Sequence, residues 1–269
     1  MLRSLPRADT RFAESPNALV LYEYPFNEGI RTMLRLEHLF GRLEELVRRD
    51  SAIDHHFALA TMFEIMDVAS RADLKSDLLK ELDRHKTQLM SYRGNPSISE
   101  SALDEVVARI DHAFGGLNQL AGKAGASLNS NEWLMSIRSR ISIPGGTCEF
   151  DLPAYYAWQQ WSPQRRRADL LQWVGSLMPL AEALQVLLGL LRESGAPHAV
   201  VAVGGQYQQS LTQGRVYQLL RVRLAADDDL VPEISGHRLM VSVRMMRQDA
   251  EGRLKPNPAD TPFELTLCS

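Results

Sequence analysis

Arginine carries most of the recognisable chemistry in this sequence. Arg31, Arg35, His38 and Arg42 recur at intervals of four, three and four residues, which on a helix places them in one stripe. The apolar residues Leu36, Leu39 and Leu43 fall on a different face. Arg138 and Arg140 form a second set, Arg221 and Arg223 a third, and Arg238 with Arg244, beside His237, a fourth. A guanidinium offers a planar fork of donors that grips a carboxylate through two hydrogen bonds and tolerates partial burial. Four such sets converging at a helix–sheet junction would make a basic groove for an acidic segment of a partner. The plain alternative is solvated surface pairing with Glu37, Glu44 and Glu45. Arg165-Arg166-Arg167, in the first turn of its helix, reads as ordinary surface.

No catalytic set stands beside these arginines. Asp54-His55-His56 has the form of a triplet used by metal-dependent phosphoesterases, but that chemistry needs further Asp and His ligands at the ends of parallel strands. The triplet opens a helix instead, with Asp54 in the position of an N-cap. None of the seven histidines has a partner at H-x3-H spacing, and none lies near a cysteine. The glycine pairs Gly145-Gly146 and Gly204-Gly205 lack the Lys-Ser or Lys-Thr of a phosphate-binding loop, and no G-x-G-x-x-G or G-x-S-x-G is present. The expectation is a binding protein without enzymatic activity, cofactor or metal.

The elements that must position the arginines change character along the chain. Residues 1–16 are polar, with Pro6 and Pro16, and read as a loose extension. ALVLYEY (18–24) is a strand candidate. Helices follow from near Asn27 to Val47, at about 55–70, at 73–92, and at 100–114, where Leu103, Val106, Val107, Ile110 and Phe114 share a face. Gly115-Gly116 is expected to stop the last of these, leaving 115–130 as a loop. A short helix spans about 131–140. Residues 141–153, ISIPGGTCEFDLP, read as a hairpin around Pro144-Gly145-Gly146. Helices return at about 154–161, 163–177 and 180–194, the second capped by Ser162 and Pro163.

From 198 onward the apolar period becomes two. Leu220, Val222 and Leu224 alternate with Arg221 and Arg223, and Leu239, Val241, Val243 and Met245 alternate with Arg238 and Arg244. FELTL (263–267) closes the series. The expected fold is α+β, an α-helical domain packed with a mainly antiparallel β-strand domain. The helical domain takes 27–140 and 154–196. The strand domain takes 17–26, 141–153 and 197–269.

The whole chain has 269 residues, a net charge of −3 and 45% hydrophobic residues, values of a folded protein rather than a disordered one. The mild acidity argues against general duplex DNA binding. Two cysteines, Cys148 and Cys268, fit a reducing compartment. No signal-peptide core or membrane span is evident, so the reading is cytoplasmic.

Several long blocks resemble one family. EYPFNEGIRTMLRLEHL (23–39), LLKELDRHKTQL (78–89), RSRISIPGGTCEFDLP (138–153), residues 161–194 and DLVPEISGHRLMVSVRMM (229–246) are similar to the ZapD family of Z-ring-associated cell division proteins. The resemblance runs from about residue 18 to 268. It rests on N-E-x-x-R-T-x-L-R-x-E, S-I-P-G-G-x-C-x-F-D-L-P and P-x-I-S-G-H. It implies a homodimer with helical and β-strand domains that binds the C-terminal tail of FtsZ, the tubulin-like division GTPase. It also implies cross-linking of FtsZ protofilaments into bundles at midcell. The family's basic pocket for that tail maps onto Arg31, Arg35, Arg138, Arg140, Arg221, Arg238 and Arg244. Arg238 would be a charge-preserving replacement of lysine. Glu132 and Tyr156 depart from the pattern, standing where a basic residue and a histidine are expected. A nucleic-acid-binding protein using the same arginines is the competing reading; under the first, neither nucleic acid nor membrane is a partner.

Overall fold

The computed structural model describes residues 19–70 and 73–269. The expected extension, residues 1–16, lies outside them. The described residues form eight α-helices and two antiparallel sheets, an α+β fold. They divide into two units, Leu34–Leu187 on one side, and on the other Leu188–Ser269 with the described residues up to Met33.

The helical unit is built around a central helix. α1 (Glu28–Arg48) is followed closely by Ser51, whose hydroxyl accepts from the Ile53 backbone N–H and caps α2 (Ala52–Ala69). Asp54 therefore lies in the first turn rather than at the cap. α2 is apolar over most of its circumference, and Ala58, Leu59, Met62, Phe63, Ile65 and Met66 are all buried, as a helix packed on all but one side must be. α3 (Leu74–Met90) and α4 (Glu100–Gln119) form a hairpin beside it.

α4 does not stop at Gly115-Gly116. Its buried stripe, Leu103, Val107, Ile110, Ala113 and Leu117, continues past the glycines. Burial of Leu117, beyond the glycines, contributes about 1.5–3 kcal/mol and offsets the roughly 1 kcal/mol that each helical glycine costs. The chain then turns at Gly125 (φ 74°), where a Cβ would stand 2.8 Å from Leu177 Cδ2, into a short 3₁₀ turn, Ala126–Ser130.

α5 (Glu132–Arg140) is capped by Asn131, and α6 (Pro153–Gln159), α7 (Pro163–Gly175) and α8 (Met178–Glu193) follow. Ser162 caps α7 as its sequence implies. No single helix among the described residues is long and apolar enough to cross a membrane. α7 and α8 reach that composition only together and are bent by 65° at their junction.

Residues 141–152 correct the expected hairpin. They form successive tight turns, with Ile143, Gly146, Cys148 and Asp151 N–H groups each donating to the carbonyl three residues earlier. Pro144 has no N–H for a ladder. Gly146 lies so close to Arg140 O that a Cβ would stand 2.8 Å from it. The segment belongs to the helical unit.

The second unit holds both sheets. β1 (Leu19–Pro25), β4 (Leu219–Ala225), β8 (Thr261–Cys268) and β2 (His198–Ala202) form one, in the order β1-β4-β8-β2. β3 (Gln206–Ser210), β6 (Met240–Gln248) and β5 (Leu230–His237) form the other, with β7 (Leu254–Pro256) also on β6. The alternating residues meet in one core: Leu220, Val222 and Leu224 from β4, Val241, Val243 and Met245 from β6, and Phe263, Leu265 and Leu267 from β8. Gly204 and Gly205 (φ 57° and 74°) supply the left-handed turn between β2 and β3. β3 and β5 have no strong apolar alternation of their own; pairing to β6 on both sides makes them strands.

Candidate partner-binding site

The arginines singled out from the sequence are positioned by helices and strands, except Arg238, which lies in a turn between two strands, and their surroundings differ. In the helical unit, Arg35 is exposed on α1 and has no ion-pair partner among the described residues. Arg42, on the same stripe, donates to Thr61 Oγ1 (2.9 Å) and Glu64 Oε1 (2.5 Å) of α2. Arg138, near the end of α5, binds Asp67 of α2 and Asn129, with its guanidinium carbon 6.0 Å from the centre of the Phe63 ring. Arg140 donates to Asp151 Oδ1 at 3.0 Å, which ties the end of α5 to the turn segment.

In the β-unit, Arg31 begins α1 paired with Glu28 at 2.9 Å. Arg221 lies directly across from Glu23 in the β1–β4 register and donates to its Oε1 at 3.0 Å. Arg192, near the end of α8, grips the same carboxylate through both oxygens, at 2.9 and 2.7 Å. The Arg192–Glu23–Arg221 triad is mostly buried, with side-chain exposures of 24%, 15% and 17%. Arg223 pairs with Glu264 across β4–β8, and Arg244 with Glu233 across β5–β6. Arg238, in the β5–β6 turn, is exposed and without an ion-pair partner among the described residues.

The surface pairing expected from sequence thus exists, but with other carboxylates. Arg31 and Arg42 take Glu28 and Glu64, whereas Glu44 and Glu45 pair with Arg48 and Arg49. The contacts with Glu64, Asp67, Asp151 and Glu233 arise from packing between elements, which spacing within one element does not encode. Of the two departures from the family pattern, Glu132 opens α5 in its first turn, and Tyr156 is exposed on α6.

The run Arg165–Arg167 corrects its reading as surface. Arg166 is 4% exposed. It donates through Nε to His55 Nδ1 (3.0 Å), through its terminal nitrogens to Asp50 O (2.6 Å) and Gln159 O (3.0 Å), and also to Trp161 O. Arg167 reaches Val47 O, Arg48 O, Arg49 O and Asp50 Oδ1, the unpaired carbonyls at the end of α1 with the carboxylate that follows them. The signal was in the sequence: Arg166, Leu170 and Val174 are four residues apart and share the buried face of α7. Arg165 stacks over the Trp161 ring.

The Asp54-His55-His56 triplet is dispersed by the same packing. Because Arg166 Nε–H can only donate, His55 Nδ1 must accept, so its Nε2 carries the proton and donates to Arg49 O at 2.8 Å. Burial holds the His55 imidazole below its ordinary range, with the Arg166 and Arg167 charges acting in the same direction. His56 shares a 2.8 Å hydrogen bond with Tyr155, and burial lowers its basicity too. Burial raises the Tyr155 phenol well above its usual value. Trp133, Tyr155, Trp158 and Trp173 stack around these groups. Among the described residues, no three His, Cys, Asp or Glu side chains are grouped to hold a metal ion.

The described chain is therefore an α+β protein of two units in which arginines of one element repeatedly pair with accessible carboxylates of another. The family model for the cell division protein ZapD matches residues 34–244. The cell division protein ZapD of Ralstonia nicotianae is 54% identical over 255 residues, covering 93% of this chain and the whole of that relative. That of Ralstonia pickettii is 54% identical over 252 residues with the same coverage. The chain belongs to the ZapD family of cell division proteins.

Proposed function

We propose that this protein is a non-enzymatic division factor that binds the C-terminal tail of FtsZ and, as a homodimer, cross-links FtsZ protofilaments into bundles at midcell. Arg31, Arg35, Arg138, Arg140, Arg238 and Arg244 are the cations assigned to the tail, with Arg221 supporting them. The observation that carries the reading is the state of these side chains. Arg35 and Arg238 have no ion-pair partner among the described residues, and Arg31, Arg138, Arg140 and Arg244 hold carboxylates that are themselves accessible to water.

An exposed ion pair contributes little, about 0–1 kcal/mol, so an acidic peptide can replace the internal carboxylate at small cost. Arg221 is different: its carboxylate is shared with Arg192 and mostly buried. A tail that orders on binding loses entropy, so a single site is weak, and two sites per dimer recover affinity through avidity while linking two filaments. The protein needs neither cofactor nor nucleic acid for this task, and it works in the cytoplasm with the division ring.

The test is pelleting with polymerised FtsZ, full-length beside a form lacking the C-terminal tail. Co-sedimentation and bundling that disappear with the tail are expected, and DNA or RNA in excess should not displace the protein. Equal binding to both FtsZ forms would move the site away from these arginines.

A further inference from the structure

One face of α2 stays open to solvent in the helical unit. Ile53, Phe57, Ala60, Glu64 and Asp67 follow one another at intervals of four or three residues and share it. Its first half is apolar, with Ile53 67% and Phe57 53% exposed. Its second half is acidic, and each acid is held by an arginine reaching in from a different helix. Arg42 of α1 binds Glu64 at 2.5 Å, and Arg138 of α5 binds Asp67. The Thr61 hydroxyl that accepts from Arg42 donates to Phe57 O, so the Arg42 guanidinium stands one turn from the apolar half. Both carboxylates are more than half exposed, at 51% and 66%.

We propose that this face receives the acidic, partly apolar segment of the partner. Arg42 and Arg138 exchange Glu64 and Asp67 for carboxylates of the segment, and Ile53 and Phe57 take its apolar side chains. The inference rests on the proposed function, since the segment is the FtsZ tail. Charge complementarity selects the occupant. The two guanidinium groups already grip carboxylates, set three residues apart and so about 4.5 Å along the helix axis, and what competes for them is another pair of carboxylates. Glu64 and Asp67 then have two effects. They hold Arg42 and Arg138 in ordered rotamers, which lowers the entropy lost on binding. They also compete with the ligand and keep the single-site affinity low. Arg35, seven residues before Arg42 on the same helix stripe, extends the cationic edge.

The experiment is fluorescence anisotropy of a labelled synthetic peptide of the FtsZ C-terminal tail, titrated with the full-length protein and its variants. Glu64→Gln with Asp67→Asn removes the internal competitors, and binding about three- to tenfold tighter is expected. Glu81→Gln with Asp104→Asn makes the same change of charge at the exposed pairs with Arg84 and Arg93 and should leave affinity unaltered. Phe57→Ser, at an exposed position, should weaken binding about fivefold with an unchanged circular dichroism spectrum. Equal tightening by both charge variants would reduce the effect to net charge and overturn the site. Unaltered affinity in the Glu64/Asp67 and Phe57 variants, beside normal wild-type binding, would overturn it too while leaving the proposed function standing. A wild-type protein that does not bind the tail would remove both.

Discussion

The helical unit carries two groups of arginines, and they are set in opposite ways. Arg166 and Arg167, in the first turn of α7, donate to backbone carbonyls that cannot move away: those of Val47 to Asp50 at the end of α1, and Gln159 and Trp161 at the end of α6. Arg35, Arg138 and Arg140 face either no carboxylate among the described residues or one that water can reach. The acceptor decides the role. Helix C-terminal carbonyls concentrate partial negative charge and have no intrahelical donor, so a guanidinium there fastens two helix ends together. An exposed carboxylate is a replaceable acceptor, so a guanidinium there remains available to a partner.

The sharpest way to break this distinction is Arg166→Met. The change leaves the buried His55 Nδ1 and three part-buried carbonyls without this donor, and a loss of about 3 kcal/mol in urea unfolding is expected. Tail binding by the remaining folded protein should be normal. A loss below about 1 kcal/mol would mean that the two arginine groups do not differ. Glu23→Gln should come next, at about 1–3 kcal/mol, because it leaves Arg192 and Arg221 side by side, mostly buried and without their shared carboxylate. If that variant unfolds like the wild type, Arg221 is free enough to belong with the exposed arginines after all.

A smaller effect depends on pH. In the unfolded chain His55 takes up its proton near its ordinary value of 6.5, whereas burial in the fold holds it lower. Between those two values the unfolded chain binds the proton and the fold does not, so stability falls as pH drops below about 6.5 and is fully present above it. Protonation would also point an N–H of His55 at Arg166 Nε–H. Urea midpoints at pH 7.5 and 5.5 measure the slope. His55→Gln, which can still accept from Arg166 and donate to Arg49 O, should reduce it, leaving the part due to His56 and His85, whose basicity burial also lowers.

Much of this architecture could be read from the residues, for reasons that are local. Helix periods, the Ser162 cap and the alternation in β4 and, from Val241 onward, in β6 depend on near neighbours, and they appear where the pattern puts them. Arg238 and Leu239, expected in the same strand, instead lie in the turn before it, with Leu239 exposed. The departures involve contacts distant in sequence. α4 runs through two glycines because Leu117, beyond them, is buried. β3 and β5 exist because β6 lies between them. Pro144-Gly145-Gly146 suits a hairpin turn and a chain of tight turns equally, and the absence of a pairing strand among the described residues selects the turns. For the site, the arginines were visible as a periodic stripe, but their counter-ions were not. Whether Arg138 is free or bound to Asp67 depends on how α2 and α5 pack, which no spacing within α5 encodes.

The smallest effect expected on stability carries the largest on function. Among the described residues, Arg31 pairs with Glu28 alone, which is 75% exposed, and Arg35 has no ion-pair partner. Arginine and glutamate have similar helix propensities, and a glutamate in place of Arg31 would meet Glu28 three residues away with a repulsion of a few tenths of a kcal/mol. Arg31→Glu with Arg35→Glu should therefore change stability by less than about 1 kcal/mol. The same variant turns two attractive charges into two repulsive ones at the family's R-T-x-L-R motif. Bundling of FtsZ in a pelleting assay should be abolished, while size-exclusion chromatography shows the same oligomer as the wild type. Arg31→Lys with Arg35→Lys keeps the charges and loses only the planar fork, so its pelleting should fall between the two. If the lysine variant bundles as poorly as the glutamate variant, fork geometry governs the contact; if the glutamate variant bundles normally while folded, the tail is held elsewhere.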